Sequence, residues 1–103
     1  MTWHTLSPAS RIREGQVLCF EVGGRRLAVG RTKRGWFAMD DLCPHAGGSL
    51  GEGMLDGDCV VCPIHGYAYD VTTGEGLDDG SEVRVYPCRL EGDVLHIQIE
   101  EET

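Results

Sequence analysis

No stretch of this sequence approaches the roughly 18 consecutive apolar residues of a membrane span. The opening MTWHTLSPASRIREGQ lacks the apolar core of a secretory signal. The expected compartment is therefore the cytoplasm, and no membrane partner is expected. Repeats of solenoid length and low-complexity linkers are also missing. So is any sustained period of 3.6, which excludes long helices. Basic residues are scarce beyond residue 39: residues 40–103 carry two arginines against fifteen Asp and Glu, a balance of −13. Residues 1–39 balance at +5, and the whole chain at −8. Phosphates would be repelled by the acidic part, so nucleic acid is not an expected partner. A basic protein partner suits that field better, and the same acids also keep the domain soluble. No nucleophile triad, phosphate-binding loop or facial triad for a mononuclear iron is visible, so the chain is not expected to be an enzyme in its own right.

What the chain does have is glycine, fifteen of them in 103 residues. The length is that of one domain, and the glycines punctuate short apolar runs as turns do. Gln16–Val22 and Arg25–Thr32 flank Gly23-Gly24, a hairpin dipeptide. Trp36–Asp40 follows. Gly53–Leu55 and Asp58–Cys62 flank Asp56-Gly57. Tyr67–Val71 comes next, and Glu82–Leu90 and Asp93–Glu100 flank Glu91-Gly92. Roughly eight short strands at hairpin spacing predict an all-β sandwich or barrel.

The chemistry gathers between Cys43 and Asp70. Cys43-Pro44-His45 and Cys62-Pro63-Ile64-His65 are two mixed Cys/His hooks on loops at strand ends. Pro44 and Pro63 stiffen each loop, and Gly47, Gly48, Gly51 and Gly66 allow tight backbone around it. The five cysteines are an odd count, which argues against a pure disulfide framework. Three readings of the hooks compete: a 2Fe-2S cluster with mixed ligation, a structural zinc site, and four packed side chains. Four soft ligands paired twice fit the last poorly. Zinc takes two thiolates and two imidazoles readily, and would make the chain a non-redox interaction module. Zinc motifs, however, usually pair Cys with Cys and His with His. Here each loop offers one of each, an order that lets each loop span two metals.

Cys43-x-His45 and Cys62-x2-His65 resemble the ligand pattern of the Rieske iron–sulfur family. The likeness covers most of the chain, including His65-Gly66, Tyr69-Asp70 and the closing hairpin with Tyr86-Pro87. It implies one Rieske 2Fe-2S cluster, with Cys43 and Cys62 on one iron and His45 and His65 on the other. It implies a single domain over residues 1–103, with an inserted cluster-binding subdomain near residues 40–75. Pro63, Gly66 and Tyr69 would line the site, and the Tyr69 hydroxyl could donate to a cysteine sulfur. Exchanging two thiolates for neutral imidazoles removes negative charge and raises the potential. High-potential relatives carry two further cysteines that form a disulfide, where this chain has Gly48 and Ile64, and a serine where it has Tyr67. With Glu52, Asp56, Asp58 and Asp70 also opposing reduction, the expected midpoint is about −150 to 0 mV.

The function the resemblance implies is a one-electron carrier. It would take electrons from a flavin NAD(P)H reductase and pass them to a terminal oxygenase or similar acceptor. A second family role, the small subunit of an NAD(P)H nitrite reductase, fits the same residues. Oxygenase catalytic subunits need a longer chain, and respiratory Rieske subunits a membrane anchor. Outside the hooks, Cys19, Cys59 and Cys88 read as structural, as do His4 and His96, and Trp36-Phe37 as core. Glu100-Glu101-Glu102 reads as a solvated tail.

Overall fold

The computed structural model describes residues 2–44, 47–64 and 66–99. Among these residues, ten strands form three antiparallel sheets. The first sheet has the order β1-β10-β9, from Thr2–Leu6, Val94–Ile99 and Cys88–Glu91. The second has the order β2-β3-β4-β8, from Gln16–Val22, Arg25–Thr32, Gly35–Asp40 and Val85–Tyr86. The third has the order β5-β6-β7, from Met54–Asp56, Cys59–Val61 and Ala68–Asp70. Two single 3₁₀ turns, Ala9–Arg11 and Leu50–Glu52, are the helical elements among the described residues.

The middle sheet is buried on both faces, and its sequence shows why. Alternate residues of a strand point to opposite faces. In β3, Leu27 and Val29 join one core while Ala28 joins the other. In β4, Ala38 joins the first core, and Phe37 and Met39 the second. The first core lies against β1 and β10 and contains Leu95, Ile97 and Ile99. The second lies against the third sheet and contains Val60, Tyr69, Cys43 and Cys62. Strand runs that feed two cores lose the apolar/polar alternation of a half-exposed strand.

One expectation needs correction, and one strand was not foreseen. Glu82–Leu90 is not one strand. Val85 and Tyr86 pair with Met39 and Ala38, whereas Cys88–Glu91 pairs with β10. Pro87, which has no N–H to donate, sits where the chain leaves one sheet for the other. The amino-terminal segment is also a strand: Thr2–Leu6 pairs in register with Ile99–Leu95. Leu6 alone in β1 is buried, so no apolar pattern announces it, and backbone pairing along the edge of β10 holds it.

Candidate functional site

The two hooks sit on loops with the same backbone wiring. In the first, Cys43 N–H donates to the Gly48 carbonyl at 2.8 Å, and Gly47 N–H donates to the Cys43 carbonyl at 2.8 Å. In the second, Cys62 N–H donates to the Tyr67 carbonyl at 2.8 Å, and Gly66 N–H donates to the Cys62 carbonyl at 3.0 Å. Each cysteine thus bonds to the residues four and five positions on. The residue four positions on has φ +70° at Gly47 and +74° at Gly66, the left-handed region where only glycine is unstrained. A proline follows each cysteine and fixes φ at the loop's first step.

The loops meet at Gly48. A Cβ there would stand 2.7 Å from Ile64 Cδ1 and 3.4 Å from Cys62 Sγ. The missing side chain is what lets the first loop lie on the second. Cys43 and Cys62 are each 1% exposed and share the second core with Leu50, Val60 and Tyr69. The other two predicted ligands, His45 and His65, lie outside the described residues. Leu42, just before the first hook, and Ile64, within the second, are 65% and 52% exposed. The tip therefore presents apolar side chains around buried sulfur.

Tyr69, in the middle of β7, is fully buried, with its hydroxyl 3.5 Å from Cys43 Sγ. The same hydroxyl lies 3.5 Å from Ser81 Oγ. Burial first, and then the contact with the cysteine sulfur, pushes the phenol up to about 12. Pro63 and Gly66 lie in the second loop, as the sequence predicts, and both border a shallow apolar hollow with Met54, Leu55 and Val61.

Sequence reasoning missed one supporting residue. Asp41, 4% exposed, accepts the Gly51 N–H at 2.7 Å and the Ser49 hydroxyl at 2.9 Å. Its second oxygen faces Arg26 Nη2 at 3.5 Å, and its backbone carbonyl accepts Leu50 N–H at 2.7 Å. One carboxylate thereby fastens the return of the first loop, just beyond Gly48. The available signal was an acid two residues before a hook, at the end of an apolar strand. Gly51 completes the joint, because a Cβ there would meet Cys19 N at 2.6 Å.

Of the remaining cysteines, Cys59 and Cys88 lie apart from this arrangement, and Cys19 backs the joint at Gly51. Cys59 pairs across the sheet with Asp70, and burial, then Asp70, Asp56 and Asp58, raise its thiol pKa. Cys88 is pushed up to about 11 by burial. Cys19 Sγ accepts from Arg26 Nη2 at 3.4 Å. Asp70 accepts from Thr72 Oγ1, Thr72 N–H and Thr73 N–H, in that order of effect on its lowered pKa, and stands ionised near the site. Among the described residues no three of His, Cys, Asp or Glu gather to hold a metal ion. Two buried sulfurs on twin loops, with no carboxylate between them, suit a soft iron–sulfur group rather than a hard cation. The described donors therefore fit the thiolate half of a 2Fe-2S centre.

The chain matches the family description "Rieske [2Fe-2S] domain" over residues 2–87. It is 36% identical over 90 residues to the anthranilate 1,2-dioxygenase ferredoxin subunit of Burkholderia cepacia, covering 85% of this chain and 83% of that one. A solved complex of reduced oxygenase and oxidised ferredoxin in carbazole 1,9a-dioxygenase contains a chain 31% identical to this one. It superposes with a TM-score of 0.85 over 98% of this chain and 96% of its own. A Mycobacterium tuberculosis protein described as an NADH-dependent nitrite reductase small subunit superposes with a TM-score of 0.87 over 97% of each chain. At 22% identity it shares the fold alone. The chain belongs to the Rieske [2Fe-2S] family, and its cofactor is one Rieske-type 2Fe-2S cluster.

Proposed function

We propose that this chain is the ferredoxin of a multicomponent oxygenase system, carrying single electrons from a flavin NAD(P)H reductase to a terminal oxygenase. The observation that carries this reading is the pair of identically wired loops, which bring two buried cysteines together under an apolar tip. Cys43 and Cys62 would supply the thiolates, and His45 and His65 the imidazoles. The cluster, when bound, takes up and gives back one electron at a time. Residues 40–75 would act as the cluster-binding subdomain of a single domain over 1–103, working in the cytoplasm.

The protein's own part is positional and electrostatic. Asp41 and the Gly48 contact hold one cysteine loop against the other. Leu42 and Ile64 give a redox partner an apolar face from which water is excluded on docking. Glu52 and Asp56, both exposed, border the second loop and would steer a basic partner surface to it. These carboxylates, with Asp58 and Asp70, also oppose reduction, so the proposed midpoint is about −150 to 0 mV.

Relatives of the dioxygenase class, similar in length and above 30% identity, favour the ferredoxin role over the nitrite reductase subunit. The test is direct. Protein expressed with ample iron and purified without air should contain two acid-labile sulfides per chain. After dithionite it should give a rhombic EPR signal averaging below the free-electron g value. Cys43→Ser, His45→Ala, Cys62→Ser and His65→Ala should each abolish both. A colourless product with one zinc per chain would refute the assignment. Stable copurification with a sirohaem enzyme would refute the oxygenase role.

A further inference from the structure

The flanks of the two cysteine loops differ in charge and in apolar content. Beside the first loop lies a hollow of about 290 Å³, bordered by Arg25, Arg26, Asp40 and Asp41. Its two guanidiniums are balanced by its two carboxylates, and Arg26 faces Asp41 at 3.5 Å. Beside the second loop lies a larger hollow of about 590 Å³. Among the described residues, Met54, Leu55, Val61 and Pro63 give it an apolar lining, and Glu52 and Asp56 are its charged groups. The two hollows share no described lining residue.

The second hollow lies along β5, an edge strand of the third sheet. A Cβ on Gly53 would run into the Val61 carbonyl, so the chain enters β5 pressed against β6. Met54 pairs with Val61 in the ladder, yet its side chain is 73% exposed. Among the described residues it is the most exposed large apolar side chain. Cys62 and Gly66 also border the hollow, so anything seated in it lies against the second cysteine loop.

We propose that this hollow seats an apolar side chain of the redox partner, one ringed by lysine or arginine on the partner's surface. The docking footprint is then off-centre: it covers the second loop and the edge of β5 and leaves the first-loop flank open. The inference rests on the carrier reading above and names where that carrier is gripped. A basic surface is attracted by Glu52 and Asp56, whereas the balanced charges beside the first loop give it no net pull. An apolar side chain in the hollow takes Met54 out of water. The unbranched thioether of Met54 can repack against differently shaped occupants. That suits a carrier that must fit an electron donor and an electron acceptor in turn.

The experiment uses the cluster-loaded full chain, with cytochrome c as a basic redox probe. Reduced protein, freed of excess dithionite, is mixed with ferric cytochrome c, and one electron passes from cluster to haem. The second-order rate is followed at low and at high salt. Glu52→Gln combined with Asp56→Asn should slow the reaction at least about fivefold at low salt and flatten its salt dependence. Glu75→Gln combined with Glu82→Gln makes the same change of net charge beyond β7, across the third sheet from β5, and should alter the rate by less than about twofold. Met54→Ser should slow the reaction about fivefold at high salt, where steering is screened. Met54→Gln, equal in length, serves as a second variant in case the first disturbs β5. Carbodiimide, which joins a carboxylate to a lysine amine, should link the probe to Glu52 and Asp56 and not to Asp40.

Equal slowing by the two carboxylate pairs would mean that net charge alone steers the partner, and it overturns the inference. So do Met54 variants that react as fast as the parent. A concentration-dependent dimer of the parent, lost in Met54→Ser, would give the hollow to a second copy and overturns it too. Each of these outcomes, with labile sulfide and the rhombic signal intact, leaves the carrier reading standing. Protein lacking both overturns the carrier reading itself.

Discussion

The twin wiring of the two cysteine loops can be tested by a matched pair of substitutions, Gly47→Ala and Gly66→Ala. Both glycines have φ near +70°, and among the described residues an added Cβ would meet nothing within 4 Å at either position. The expected penalty is therefore conformational with no steric part. Holding a residue with a Cβ in the left-handed region costs about 1–2 kcal/mol. For a domain of this size that lowers Tm by about 5–15 °C, at roughly 4–8 °C per kcal/mol. Each loop could escape the strain by opening its bond from that glycine N–H to the cysteine carbonyl, 2.8 Å at Gly47 and 3.0 Å at Gly66. Escape would move the sulfur of a proposed ligand, so cluster content should fall together with stability. The assay is thermal unfolding by circular dichroism of the loaded protein, with labile sulfide measured on the same samples. The two variants should agree within about 0.5 kcal/mol, because the same geometry is lost in each. If one proves neutral while the other unfolds the protein, the loops are not equivalent, and the shared-wiring argument is wrong.

Three further outcomes follow from other contacts. Tyr69→Phe removes a hydroxyl donor worth about 0.5–1.5 kcal/mol. For a one-electron couple, at 59 mV per tenfold change, its loss should lower the midpoint by about 20–65 mV, and a rise would mean that Tyr69 does not donate to Cys43. Tyr86, whose hydroxyl donates to Asp40 at 2.6 Å, is pushed up to about 12 by burial first and then by that carboxylate. A raised phenol pKa stabilises the fold fully below about pH 10, and the contribution is lost as pH rises towards 12. Urea midpoints should fall across that window, less steeply in Tyr86→Phe, and equal slopes would refute the assignment. Asp41→Ala strips Gly51 N–H and Ser49 of their acceptor inside the protein and should cost about 3 kcal/mol in urea unfolding. A loss below about 1 kcal/mol would show that this carboxylate does not fasten the first loop.

The strands legible in the sequence are those whose turns are spelled out by residue type. β2, β3 and their Gly23-Gly24 turn match the predicted bounds, and β10 falls within its predicted segment. What patterning cannot show is which sheet a strand joins. Glu82–Leu90 is a single alternating run in the sequence, yet Pro87 divides it between two sheets. β1 carries almost no pattern because an edge strand with one buried residue is held by backbone bonds, and these leave no trace in residue type. The two separate cores are likewise hidden. Leu27-Ala28-Val29 reads as an apolar run whether it feeds one core or two.

For the site, sequence spacing could propose the hooks because their residues are close along the chain. It could not carry the contacts that act on them from afar. Tyr69 and Cys43 are separated by 26 positions, and Ser81 meets Tyr69 across 12 more. Nothing in the stretch Asp78–Ser81 distinguishes it from an ordinary acidic turn. The bridges of Gly76 to Tyr69 and of Glu75 to Glu82, with Ala68 N–H donating to the Asp78 carboxylate at 2.8 Å, fold that turn back against β7. The twin wiring lies between these extremes. The repeated Cys-Pro is visible in the sequence, but the histidines stand two residues after Cys43 and three after Cys62, which disguises the likeness. Aligned by their hydrogen bonds, Gly47 answers Gly66, and Ile64 takes the step that His45 takes in the first loop. Equivalent steps thus hold the two cysteines, whereas the sequence puts the two predicted histidine ligands at different steps. The described backbone matches the cysteines, and the spacing leaves the predicted imidazole donors unmatched. That asymmetry suits a centre with two chemically distinct metal positions better than a single tetrahedral ion.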